Sequence, residues 1–194
     1  MILRRLSARL RALRDDRRGV SAVEFALIAP VMIGMLFGSA DLSLALMADR
    51  KVTLAVSTVS DLVAQDDEVN CAELDRIYAA ATAILAPFST TPATLRVTMV
   101  NDNSGTPRAV WSDTAEFGAV GTCNPTPNAV VNASLTTHDA RLRQLVTSTN
   151  GVIMGEISYA YPSNLTNMIG SGSITMSETF FLRPRRSAEV ALLP

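Results

Sequence analysis

Histidine and tryptophan each occur once in this 194-residue chain, cysteine twice, and aromatic residues make up only 5% of it. One histidine and two cysteines exclude a zinc centre built from those two residue types alone. A basic surplus is missing too: 17 Lys+Arg stand against 18 Asp+Glu, a formal net charge of -1. That balance argues against a general nucleic-acid binder. Nucleophile elbows of the Gly-x-Ser-x-Gly type and glycine-rich phosphate loops are absent as well. What is abundant is apolar, with 48% hydrophobic and 18% charged residues. Such a composition argues against disorder, and the length suffices for one cored domain with or without an appendage.

The near-neutrality is an average over two unlike parts. Residues 1–19 hold seven arginines against Asp15 and Asp16, a net of +5, whereas the remainder holds 10 basic and 16 acidic side chains, a net of -6. Directly after the basic segment comes Val20 to Ala40, 21 residues whose only charge is Glu24. An apolar helix of about 20 residues spans a bilayer core. The arginines before it, against Arg50 and Lys51 beyond it, place the N-terminus in the cytoplasm and export the C-terminal part. Two other readings stay open: a plain membrane anchor, or a secretory signal cut after Ala40, where Gly38 and Ala40 form a small-x-small pattern. The latter would release a secreted, hydrolase-like domain.

Glu24 is the informative residue, because a carboxylate within an apolar span is costly and marks a functional site by default. Its position alone also allows a shallow, hydrated carboxylate near the cytoplasmic face. In context, Gly19-Val20-Ser21-Ala22-Val23-Glu24-Phe25 resembles a type IV prepilin processing site. The longer stretch from Asp16-Arg17-Arg18-Gly19 to Ala29-Pro30 resembles the start of TadE-like minor pseudopilins of the tight-adherence (Flp) pilus system. Near the C-terminus, Glu156-Ile157-Ser158-Tyr159-Ala160-Tyr161-Pro162 and Glu178-Thr179-Phe180-Phe181-Leu182-Arg183-Pro184-Arg185 resemble that family's Tyr-x-Tyr-x-Pro and Arg-Pro-Arg ending, although Pro162 here follows Tyr161 directly. The stretch of about 66–150 carries no such likeness.

The resemblance implies a prepilin peptidase that cuts after Gly19 and exposes a new amine on Val20. Glu24, with Phe25 beside it, would then guide assembly by pairing with the amine of a neighbouring subunit, offsetting the desolvation of both charges. Other implied partners are pilins and pseudopilins, the Tad secretion complex and the inner membrane. The larger TadG relatives carry an Asp-x-Ser-x-Ser metal motif; here Asp41-x-Ser43 is followed by Ala45, so that domain is not expected. The chain is also longer than a major Flp pilin, which favours a minor or assembly subunit. A structural subunit without enzymatic activity, cofactor or metal is therefore expected. The alternative is a membrane-anchored exported binding or adhesion protein that never enters a pilus.

The residues predict an α+β fold with a pilin-like lollipop outline: a basic cytoplasmic leader at 1–19, a transmembrane and extended amphipathic helix at 20–64, and an exported domain at 65–194. From Asp41 to Ala64 there is no Gly or Pro, and Leu42, Leu46, Val52, Val56, Val59 and Val63 mark an apolar stripe. A helix over Val20 to Ala64 would be about 68 Å long, with Pro30 a possible kink. Asp66-Asp67-Glu68 reads as a solvated turn. Asn70 and Glu73 form a capping box opening a second helix that Pro87 stops. Strands are predicted at 95–100, 108–111, 152–161 and 173–182, antiparallel, with a turn at Asn101–Gly105 rather than a calcium loop, whose bidentate Glu is missing. Gly118 to Asn132 reads as loop and Asp139 to Thr147 as a short helix, with His138 a surface residue at its start. Arg183, Arg185 and Arg186 read as a solvated chain end, or else a site for an anionic partner. Cys71 and Cys123 are predicted to form one disulfide in an oxidising compartment, two free thiols being the alternative. That bridge would close a loop of about 50 residues and stabilise by about 4 kcal/mol.

Overall fold

The long apolar run folds as one helix, α1, from Val20 to Gln65 (46 residues), in a computed structural model that describes residues 19–88, 93–117, 132–147, 149–163, 170 and 172–193. Pro30 lies inside α1 without ending it. The chain divides into two compact units, Met1–Ser43 and Leu44–Pro194, and α1 contributes to both. In the first unit none of the described residues is buried; Phe25, Leu27 and Met35 are 70%, 71% and 70% exposed.

In the second unit the same helix is a core element. Its buried residues are Ala45, Ala48, Val52, Ala55, Val56, Val59, Ser60, Val63 and Ala64. The expected stripe is corrected at its N-terminal end, since Leu42 and Leu46 are 62% and 56% exposed. Leu46 and Val52 are six residues apart, about 240° around a helix of 3.6 residues per turn. They cannot share a face, and the alanines at 45 and 48 continue the buried line instead.

Helix α2 (Cys71–Leu85) begins as the capping box predicts: the Asn70 side chain accepts a hydrogen bond from the Glu73 backbone N–H at 3.0 Å. It buries Leu74, Ile77, Tyr78, Ala81 and Leu85, while Ile84 is half-buried. Lys51 of α1 donates through Nζ to the carbonyls of Ile84 (2.8 Å) and Ala86 (2.7 Å). A cation there satisfies carbonyls left open at the helix C-terminus and complements its dipole.

The antiparallel sheet has the order β3-β2-β4-β5, built from β2 (Ala93–Asn103), β3 (Thr106–Glu116), β4 (Val152–Tyr161) and β5 (Ile174–Leu182). The α+β class and its antiparallel sheet are as the sequence predicts. β2 and β3 are longer than expected because their polar ends stay in the ladder, leaving only Ser104 and Gly105 as the turn. Both have positive φ (57° and 86°), the backbone that a two-residue hairpin demands. A register shift between Met99 and Val100, opposite Trp111 and Ala109, leaves Val110 unpaired.

Two further elements differ from expectation. Helix α3 spans Asn132–Leu145, starting a turn and more before Asp139, because Leu135 joins Leu142 on its buried side. His138 therefore sits inside the helix. Of the expected 118–132 loop, 118–131 lies outside the described residues. Glu68 is no turn residue either: β1 (Glu68–Asn70) pairs in parallel with β6 (Ala191–Leu193).

The sheet has two faces. α1 and α2 cover one, packing on Leu95, Val97, Met99, Trp111, Ile153, Ile157 and Tyr159. On the other, α3 and Val146 cover Val100, Ala109, Val152 and Met154. Helix and sheet come close at Gly155 of β4, where a Cβ would lie 2.1 Å from Ser60 Oγ and 3.1 Å from Val56 Cγ2. Gly155→Ala is accordingly expected to destabilise by about 1–3 kcal/mol through overpacking. Ser60 donates only to its own helix, to Val56 O, so Ser60→Ala is expected to be mild alone and to relieve much of the Gly155→Ala penalty. Urea unfolding of the four proteins measures that coupling.

Candidate functional site

The site singled out by sequence is the start of α1. Gly19 forms the turn before it, and its carbonyl accepts the first helical hydrogen bond, from Val23 N–H at 3.1 Å. A Cβ at Gly19 would meet nothing within 4 Å, and its φ lies outside the left-handed region. Among the described residues nothing packs against that glycine. Val20 is 50% exposed, Phe25 70%, and Glu24 is exposed. Val20 and Glu24 are one turn apart on one helix face, separated by about 6 Å of rise. The leader before Gly19 lies outside the described residues.

The segment around Glu24 has the surface of a membrane helix. Its best 18-residue window has a mean hydropathy of 2.1, and none of it is buried. Two of its hydroxyls turn back on the helix, Ser39 to Leu36 O (2.9 Å) and Ser43 to Ser39 O (2.8 Å). Gly34 and Gly38 also have open space at the Cβ position. Spaced by four, they bare one strip of backbone to close helix approach. In the sequence Gly38 reads as part of a signal-cleavage pattern, and the Gly-x-x-x-Gly spacing is the signal for a close helix contact.

Residues 19–61 match the family model described as TadE-like protein. The match begins on the glycine of the proposed cut and ends within α1. It bears out the resemblance carried by the N-terminal motif and points to a protein associated with the Tad pilus. No curated protein and no solved structure gives a significant match.

The C-terminal residues that carry the rest of the TadE-like resemblance have structural work. Tyr159 is fully buried, and Tyr161 stacks edge-on against Phe88 with ring centroids 6.1 Å apart. The arginines are not a free basic end: Arg183 donates to Leu145 O (3.1 Å), Arg185 pairs with Asp61 of α1, and Arg186 lies 3.9 Å from Asp66. Backbone bonds from Arg185 N to Ala64 O and from Ala191 N to Asp67 O, with Trp111 Nε1 donating to Val190 O, hold the same segment. The exposed ion pairs add little, so these backbone bonds and the indole do most of the fastening.

The remaining candidates are dispersed. Cys71 opens α2, and Cys123 lies outside the described residues. His138 is 3.4 Å from Thr179 Oγ1 and 3.8 Å from Glu156. Among the described residues no three His, Cys, Asp or Glu side chains converge as metal ligands.

The buried polar contact of greatest consequence is Tyr78 with Asp113, whose phenol donates to Oδ2 at 2.9 Å. Burial first, and the nearby Asp113 charge second, push the Tyr78 phenol well above its ordinary value. Tyr159 is raised by burial alone, and its hydroxyl has no hydrogen-bond partner among the described residues. Tyr78→Phe is expected to cost about 1–3 kcal/mol, because it withdraws a donor from a buried carboxylate, whereas Tyr159→Phe is expected to be neutral or stabilising. The folded domain holds the Tyr78 proton more tightly than the unfolded chain does. Stability is then full below about pH 10 and falls above it, and Tyr78→Phe shrinks that fall. Thermal melts between neutral and strongly alkaline pH read both effects.

Proposed function

We propose that this protein is a minor pseudopilin, a structural subunit of Flp (tight-adherence) pilus assembly. Residues 1–19 are its cytoplasmic leader, the apolar part of α1 crosses the inner membrane once, and the C-terminal unit is exported. A prepilin peptidase removes the leader after Gly19, leaving a 175-residue mature chain that begins at Val20. The observation that carries this reading is the TadE-like match starting at Gly19. The open surroundings of that glycine support it, since a glycine that no described residue packs against fits recognition by another protein.

The chemistry follows from helix geometry. The amine of Val20 and the carboxylate of Glu24 stand one turn apart on one face. A neighbouring helix displaced by about that turn brings its amine to Glu24, neutralising two charges that would each be costly in lipid. Gly34 and Gly38 allow the close backbone contact that such packing needs. Partners on this reading are the peptidase, other pilins and pseudopilins, and the Tad secretion complex; nucleic acid is not among them. No catalytic residue, cofactor or metal is assigned. A Cys71–Cys123 disulfide belongs to the same reading, supported by Cys71 carrying no free thiol. Thiol labelling of the folded protein without reductant is expected to modify neither cysteine.

N-terminal sequencing of the mature protein tests the cut. A start at Val20 is expected, a start at Asp41 would mean a secreted domain, and an uncut leader a plain anchor or binding protein. Gly19→Ala is expected to block cutting, whereas Glu24→Ala permits cutting and lowers pilus output. Unchanged output with Glu24→Ala would sink the assembly role.

A further inference from the structure

The two outer strands of the sheet are finished differently. In the order β3-β2-β4-β5, both β3 and β5 have one side with no strand of the sheet beyond it. Such an edge offers a row of unpaired N–H and C=O groups to an extended chain, and folded proteins commonly blunt it. β3 is blunted: Pro107 stands in its ladder beside Arg108, Val110 is left unpaired at the register shift, and Arg143 of α3 donates to Gly105 O at its hairpin (2.9 Å). β5 is not. Its nine residues keep an unbroken register with β4 and include no proline, lysine or arginine. Among the described residues no backbone hydrogen bond reaches its outer side.

The side chains of β5 fit a docking edge as well. Alternation puts Ile174, Met176, Glu178, Phe180 and Leu182 on the face shared with Ile157 and Tyr159, which α1 and α2 cover. Outside α1 the described residues expose only four large hydrophobic side chains, and Ile174 (40%) and Phe180 (36%) are two of them. Phe180 and Leu182 also line a groove of about 390 Å³, whose other wall includes Ser57, Thr58 and Leu62 of α1. Because β5 is the last strand, no further strand of this sheet fills that groove. Asp61 and Arg185 lie in it already paired with each other. Glu178, by contrast, makes no ion pair or side-chain hydrogen bond among the described residues.

Each feature fixes one property of the occupant. A bare ladder edge is matched by an extended backbone, which supplies an N–H for each C=O and the reverse. Met176 and Phe180 favour apolar neighbours across the new ladder, and the lone carboxylate between them favours a cation. We propose that the outer side of β5 is a strand-addition site for a partner polypeptide, an extended segment with Lys or Arg opposite Glu178 and apolar residues two positions to either side. The apolar residue opposite Phe180 enters the groove beside α1. That pattern reads the same in both directions, so it holds for a parallel or an antiparallel partner. The site uses neither Gly19 nor Glu24 and stands apart from leader cutting and helix assembly.

The test uses the full chain in detergent micelles and a capped peptide, Thr-Val-Thr-Lys-Thr-Val-Thr, with two controls. One control carries Glu in place of Lys; the other is N-methylated throughout, so that it cannot donate to the edge. In NMR titrations the Lys peptide is expected to shift the amides of 174–182 and to bind about three- to tenfold more tightly than the Glu peptide. The N-methylated peptide is expected to lose about tenfold or more. Glu178→Lys is expected to reverse the preference between the two charged peptides. Should that variant fail to fold by circular dichroism, Glu178→Gln is expected to abolish the preference and keep the binding. The proposal is overturned if no peptide binds, if N-methylation leaves the affinity unchanged, or if the charge preference survives substitution of Glu178 in folded protein.

Discussion

The main core of the C-terminal unit is built along the seam where α1 meets the sheet at Gly155. A glycine on β4 and a serine on α1 let helix and strand approach until no Cβ fits between them. Small residues at 45, 48, 55, 60 and 64, with valines at 52, 56, 59 and 63, make up the buried line of α1. Interiors pack at crystal-like density, so a seam this close leaves no slack to absorb an added methyl group. Other elements fasten to it from the sides. Lys51 reaches from α1 to the end of α2, Arg185 N bonds to Ala64 O, and β6 pairs with the strand following α1.

The same helix is half solved by the protein and half left for its surroundings. In its C-terminal part the apolar residues are buried by the chain itself. In its N-terminal part Phe25, Leu27, Ile28, Val31, Met32, Ile33, Met35, Leu36 and Phe37 are all exposed. Burying one such side chain is worth about 1.5–3 kcal/mol, so the described surface of this segment is far too costly to leave in water. Lipid removes that cost for the apolar groups but not for Glu24, which has no chemistry in common with its neighbours. The carboxylate is therefore the one charged side chain among the exposed apolar residues of that span.

Periodicity made most of this legible in the sequence. The apolar span, the Asn70 cap, the buried positions of α2 and the strands at β4 and β5 all follow from spacing and turn chemistry. The failures have a common cause. Leu42 and Leu46 were weighted for size, whereas the seam selects small residues, and a rule that scores large apolar side chains overlooks Ala45 and Ala48. Gly155 gives no local signal, because its need lies in a residue 95 positions earlier. The C-terminal arginines look like a charged tail for the same reason: Asp61, Ala64 and Leu145, which hold Arg183 and Arg185, are distant in sequence. His138 lies inside α3 because the helix begins about two turns before Asp139.

The reach of the TadE-like match fits this division of constraints. It covers 19–61, which takes in the turn at Gly19, the exposed apolar span and most of the buried line of α1. Within those residues two demanding environments recur: the exposed apolar surface of the span, and the buried line of α1. Outer sheet positions such as Ser158, Ser177 and Thr175 answer to neither, being exposed residues whose side chains the fold can exchange at small cost. A helix fixed on both counts keeps a readable pattern, while an exposed sheet face free of both is held to no single pattern.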